Sequence, residues 1–141
     1  MMDREEAFRR YVEQYDIEVP AEKLENELNY IRLEMRHRMQ YDTLTTGALH
    51  IFPQLELAQQ EEELRAAAFY EAKSELVMKD LLKKLDPAVT PEELAAEAEA
   101  MAIRQSTTVA MLKSFLGEEL AMLERDVKEN KVKDWILQQI Q

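Results

Sequence analysis

From Pro53 to Leu85 the chain runs with no internal glycine or proline. Within it Leu57, Leu64, Ala68, Phe69, Ala72, Leu76, Leu81, Leu82 and Leu85 recur at steps dominated by three, four and seven. That spacing puts most of them on one side of an α-helix. At 1.5 Å per residue such a helix is about 50 Å long. It is longer than the compact core a chain of 141 residues can build is wide. It is therefore expected to act as a beam that carries smaller packed units along its length, with parts of it standing clear of them.

The rest of the chain divides around this beam. Asp3 to about Tyr15 reads as a short helix with Phe8, Tyr11 and Val12 on one side. Ile17-Glu-Val-Pro20 ends it, because a residue before proline is pushed towards extended backbone and proline suits the first turn of a new helix. Ala21 to about Tyr41 is the second helix, with Leu24, Leu28, Ile31, Met35 and Met39 as its apolar stripe; Tyr30 and Leu33 lie off it. Asp42 to Phe52 is the clearest break, rich in threonine and holding Gly47. After the beam, Thr90-Pro91-Glu92-Glu93 reads as a capping box with proline at the first helical position. The fourth helix runs from Pro91 to about Arg104. A short fifth begins at Ser106-Thr-Thr108 and is stopped by Gly117, and Glu118 to about Gln139 is the last. Strand signals are nearly absent, the best being Leu49–Phe52, and no internal repeat or linker marks a second domain. The expected fold is all-α: about six helices in one domain over 1–141, a long helical hairpin with smaller packed helices.

Charge and composition exclude several classes. The net charge of −11 leaves no basic footprint for nucleic acid, since Arg32, Arg36 and Arg38 are spread among carboxylates. No apolar run is long enough to span a bilayer. The N-terminal Met-Met-Asp-Arg-Glu-Glu is no secretory signal, and there is no cysteine. A cytoplasmic protein with no disulfide framework is the expectation.

Catalytic and metal chemistry find no complete set of residues. Glu34 and His37 form one Glu-x-x-His, but a di-metal carboxylate bundle needs two such motifs and two further glutamates, and His50 has Gly47 three residues before it. A solvated helix face is the simpler reading. Glu61-Glu62-Glu63 suits the start of a helix, where carboxylates favour the dipole. There is no phosphate-binding loop and no nucleophile elbow. No enzyme activity, metal or cofactor is expected.

Apolar residues without an obvious place in a core are the better lead. Leu44, Leu49, Ile51 and Phe52 crowd into the break, where a hairpin tip is hard to bury. They must meet a client, a second copy or another part of the body. Met35 and Met39 lie one turn apart beside the break, among 8 methionines in all. Methionine fills gaps in cores, and it also lines surfaces that fit many partners. Trp135 reads as a core aromatic that closes the last helix onto the body.

The order of these signals resembles the C-terminal chaperone domain of bacterial trigger factor, which shares its helical architecture with the periplasmic chaperone SurA. The resemblance rests on Ile-Glu-Val-Pro20, a helix with Lys23, Leu24 and Glu27, and a polar break. A long helix with Ala67, Ala72, Lys73, Leu76 and Leu81 follows, then Val-Thr90-Pro91-Glu92-Glu93-Leu94, a short helix with Leu112, Lys113 and Leu116, and the closing Asn130-Lys-Val-Lys-Asp-Trp-Ile136. It covers residues 17–140. It implies a helical body with two projecting arms that cradle unfolded chains without ATP. The ribosome-docking and prolyl-isomerase domains of full trigger factors have no counterpart in this sequence, so those activities are not carried over. A ribosome is a partner only of a longer protein that has them, and the chain is either an excised domain or a free-standing relative. The expected function is an ATP-independent holdase that binds unfolded polypeptides, with Met35, Met39, Leu44, Leu49, Ile51 and Phe52 as the client-binding set. The alternative is a scaffolding protein that uses the same apolar surface for self-association or a fixed protein partner.

Overall fold

A computed structural model describes residues 2–47 and 53–140. Leu49, Ile51 and Phe52 lie outside the described residues. Among those described, every regular element is an α-helix. The helices are α1 (Arg4–Gln14), α2 (Ala21–Thr46), α3 (Pro53–Gln59), α4 (Glu61–Leu85), α5 (Pro91–Arg104), α6 (Val109–Leu116) and α7 (Ala121–Ile140). None is long and apolar enough to cross a membrane. The chain forms two compact units, one of Met1–Tyr11 with Met78–Gln141 and one of Val12–Val77. The points of division fall inside α1 and α4.

The Val12–Val77 unit is built on a hairpin of α2 and the first part of α4. Its core joins Leu28 and Met39 of α2, Leu57 of α3, and Leu64 and Ala68 of α4, with Leu24, Ile31 and Met35 packed against them. These are the stripes that helical spacing predicts. Ion pairs fix the antiparallel register: Lys23 meets Glu75 at 2.6 Å, Arg65 lies 3.7 Å from Glu25, and Arg32 pairs with Glu61. Exposed or half-exposed pairs of this kind add little stability, so apolar burial holds the hairpin.

Two elements differ from expectation. First, α2 runs on to Thr46, so the break begins at Gly47 and Leu44 stands on the helix. The threonines are accommodated because their hydroxyls donate to carbonyls one turn back: Thr43 to Met39 at 3.0 Å, Thr45 to Tyr41 at 2.8 Å, Thr46 to Asp42 at 2.7 Å. Gly47 ends the helix in the left-handed region, at φ 74°. Second, the beam is two helices. At Gln60 the amide donates to the Leu57 carbonyl, three residues back, and the Gln60 carbonyl accepts the first bond of α4 from Leu64. Glu61, Glu62 and Glu63 then fill the first turn of a new helix, where the dipole favours them. This split accounts for the seventh helix.

In the other unit α5, α6 and α7 pack around Ala98, Leu120 and Leu123, with Leu94, Met101, Val109 and Leu116 against them. The capping box at Thr90 is complete: the Glu93 amide donates to the Thr90 hydroxyl at 3.1 Å, and the Thr90 amide to the Glu93 carboxylate at 3.3 Å. Lys131 of α7 pairs with the same carboxylate at 2.6 Å, which ties the start of α5 to α7. Trp135 meets Tyr11 edge-to-face with centroids 6.0 Å apart; it is half-buried, where a core aromatic was expected. Lys133 lies over the Phe8 ring at 5.4 Å and also reaches Glu5. Leu120 takes a left-handed backbone (φ 52°) just before α7, a costly conformation for leucine that its burial helps offset.

Candidate functional site

The residues singled out in the sequence separate onto opposite sides of α2. Met39 is 7% exposed in the hairpin core, and Met35 is half-buried against it. Leu44 is 86% exposed. Helical geometry explains this: Met35 and Met39 continue the stripe of Leu24, Leu28 and Ile31, and Leu44 lies about half a turn away from that stripe.

Leu44 belongs instead to a second stripe. Tyr30, Leu33, His37, Tyr41 and Leu44 follow at steps of three, four, four and three, and all are exposed. At 100° per residue they centre opposite the core stripe. A single-sided surface helix shows polar residues there. This helix carries large apolar groups both inside and outside, with His37 at the middle of the outer row. In the sequence Tyr30 and Leu33 lie off the core stripe, and the continuation through residues 37, 41 and 44 is the signal that places them.

Beside this stripe a groove of about 700 Å³ runs between α2 and α4, lined by Asn26, Glu27, Tyr30, Ile31, Glu34, Ala67, Glu71 and Glu75. Four of these are carboxylates. Burial pushes the Glu27 carboxyl above its ordinary value, and the neighbouring Glu75 and Glu71 charges push the same way, with Lys23 opposing. A hydrogen bond to Glu34 and the Glu34 charge hold the Tyr30 phenol proton above its ordinary range. The lining of the groove is acidic.

The second unit has its own apolar surface. A groove of about 350 Å³ between α5 and α6 has Leu94, Ala98, Val109 and Leu120 in its lining and the charges of Glu99, Lys113 and Glu118 beside them. On the far side of α6, Met111 and Phe115 sit one turn apart on one face, with Phe115 81% exposed. Ile103 at the end of α5 and Met122 at the start of α7 are exposed as well.

This combination, a helical scaffold with large apolar side chains left in water, agrees with what similarity shows. The family profile for the bacterial trigger factor protein (TF) C-terminus matches residues 3–138. The chain belongs to this family. The trigger factor of Brevibacillus brevis is 26% identical over 136 residues, which is 95% of this chain and 32% of that protein. The trigger factor of Staphylococcus carnosus is 24% identical over 136 residues, 96% of this chain and 31% of that protein. The chain thus spans about a third of the length of the curated relatives it matches. No solved structure matches it.

Trigger factor C-terminal domains form a non-enzymatic chaperone family, so the groups to weigh are surfaces and not reacting atoms. Glu34 and His37 are both exposed on α2. Among the described residues no three histidine or carboxylate side chains come together as a metal site.

Proposed function

We propose that the chain is an ATP-independent holdase that binds unfolded polypeptide segments on apolar surfaces of its helices, acting in the cytoplasm. The observation that carries this reading is the exposure of large apolar side chains on well-formed helices. Phe115 and Met111 on α6 and Leu44 at the end of α2 keep their apolar area in water, although both units have full cores. Covering such area releases roughly 25 cal/mol per Å². Several weak contacts along one client add through effective concentration, so no nucleotide-driven step is required. Leu49, Ile51 and Phe52, which follow Leu44 in the chain, belong to the same proposed client set. Met35 and Met39 back it from the core side of α2. The acidic groove beside Tyr30 suits the basic flanks of a client.

The test is suppression of aggregation. A chemically unfolded protein is diluted into buffer with a few-fold excess of this chain and no ATP, and light scattering is followed. Suppression is expected. The double substitution Met111→Ser with Phe115→Ser is expected to weaken it while helicity by circular dichroism stays unchanged, because both side chains are exposed. A well-folded wild-type sample that leaves scattering unaltered overturns the proposal.

A further inference from the structure

We propose that Met111 is a reversible oxidation site, and that its conversion to the sulfoxide by hydrogen peroxide weakens client binding on the outer face of α6. The inference rests on the holdase reading and adds regulation to it. The chain has no cysteine, so no thiol competes for peroxide, and the thioethers of its 8 methionines are the groups attacked first. The fold sorts these methionines. Met39 and Met78 are 7% exposed. Met35 and Met101 are half-buried, one against each core. Among the described residues the exposed methionines are Met111, at 49%, and Met122, at 65%. Oxidation follows exposure, so peroxide reaches the surface methionines and spares those that hold the helices together.

Position separates the two exposed methionines. Met111 stands one turn before Phe115 on the outer face of α6, the face proposed to meet a client. Met122 stands on α7. The backbone at Met111 does not depend on its side chain. Its amide donates to the Thr108 hydroxyl at 3.2 Å, and the next residue, Leu112, is buried. The sulfur can therefore gain an oxygen while α6 stays capped and seated. In that step a sulfur lone pair attacks one peroxide oxygen, the O–O bond breaks, an S–O bond forms and water leaves. Sulfur loses two electrons and the peroxide gains them. A flexible apolar side chain becomes a polar one. Covering it with a client then requires stripping water from the new S–O group, where before it only buried apolar area. The step reverses through methionine sulfoxide reductases with a dithiol as reductant: the oxygen leaves as water and the dithiol becomes a disulfide. Hydrogen peroxide is uncharged, so the net charge of −11 does not hold it off the surface.

The chain is treated with hydrogen peroxide until Met111 is oxidised, and each sulfoxide is followed by peptide mass spectrometry. Met111 and Met122 are expected to oxidise at least about tenfold faster than Met39 and Met78. Light scattering then compares treated and untreated chain on the same unfolded protein. About fivefold more treated chain is expected to be needed for equal suppression, at unchanged helicity by circular dichroism. Sulfoxide reductases with dithiothreitol are expected to restore the untreated level. Met111→Leu and Met122→Leu assign the effect, each compared with its own untreated sample. Peroxide is expected to leave suppression by Met111→Leu unaltered, and to weaken Met122→Leu as it weakens the unsubstituted chain. A Met111 that oxidises no faster than Met39 overturns the proposal. So does suppression that survives oxidation of Met111, a loss that persists in Met111→Leu, or a loss that comes with lost helicity. Failure of the holdase reading is a different result: an untreated, well-folded chain that does not suppress scattering, which overturns this inference along with that reading.

Discussion

Glu27 shows how one carboxylate feels both helices of the hairpin. It lies on α2 in the groove and faces Glu71 and Glu75 of α4, with Lys23 one turn before it. A carboxyl held above its ordinary value binds its proton more tightly in the folded chain than in the unfolded one. Its favourable contribution is full below 4.5 and is lost as pH rises through the folded value. At neutral pH the ionised group weighs against the hairpin. Glu27→Gln removes that charge and keeps a similar shape. We expect it to raise the melting temperature at pH 7, on the order of 2 °C, and to leave melting at pH 4 nearly unchanged. Thermal melts at the two pH values check this; a lower melting temperature at pH 7 means that the attraction to Lys23 outweighs the crowding of carboxylates. The neighbouring methionines carry a different lesson. Met35 and Met39 were readable as residues of one face, but not as core or surface. Spacing gives a direction around the helix, whereas burial depends on what packs there, here Leu57 and Leu64 from segments far along the chain.

At the scale of elements, stops and starts decide the architecture. The end of α5 is closed without glycine. The Thr107 amide donates to the Ala102 carbonyl at 2.8 Å and the Ser106 amide to Ile103 at 3.2 Å, the pattern of a Schellman motif. Its left-handed position is occupied by Ser106, at φ 53°. An L-residue with a Cβ is disfavoured there, and glycine is not. Ser106→Gly is therefore expected to stabilise the chain by about 1 kcal/mol, seen as a higher midpoint in urea at unchanged slope. A lower midpoint means that the greater freedom of glycine in the unfolded chain dominates. The start of α5 was open to sequence reading because a capping box is entirely local: Thr90, Pro91 and Glu93 contain the whole mechanism. The end of α2 was not, because threonine reads as a breaker until its hydroxyl is seen to donate back along the helix. The stop at Gln60 carries neither glycine nor proline and is set by one amide that reaches three residues back instead of four. The outer stripe of α2 was in the sequence throughout, but once the core stripe had been assigned, nothing in a one-faced view of a helix required a second.

At the scale of the whole molecule the net charge of −11 acts on anything that approaches, whichever apolar surface it finally reaches. The apolar contacts of the proposed holdase have no preference for sequence beyond size and shape. The field therefore supplies discrimination: a client segment with lysine flanks is drawn in and one with glutamate flanks is repelled. The two contributions separate with salt. Screening acts over about 10 Å at 0.1 M ionic strength and about 3 Å at 1 M, while apolar burial does not weaken in this way. Two peptides with one apolar centre, flanked by lysines or by glutamates, are expected to differ in affinity by about tenfold at low salt. At 1 M sodium chloride the ratio is expected to fall towards one, with the glutamate peptide gaining affinity and the lysine peptide losing it. Fluorescence anisotropy across a salt series measures both. If the ratio holds at high salt, the preference comes from direct ion pairs in a shielded place, and the groove lined by Glu27, Glu34, Glu71 and Glu75 is then the position to substitute. If it collapses, the long-range field is sufficient and those four carboxylates act only as part of the total charge.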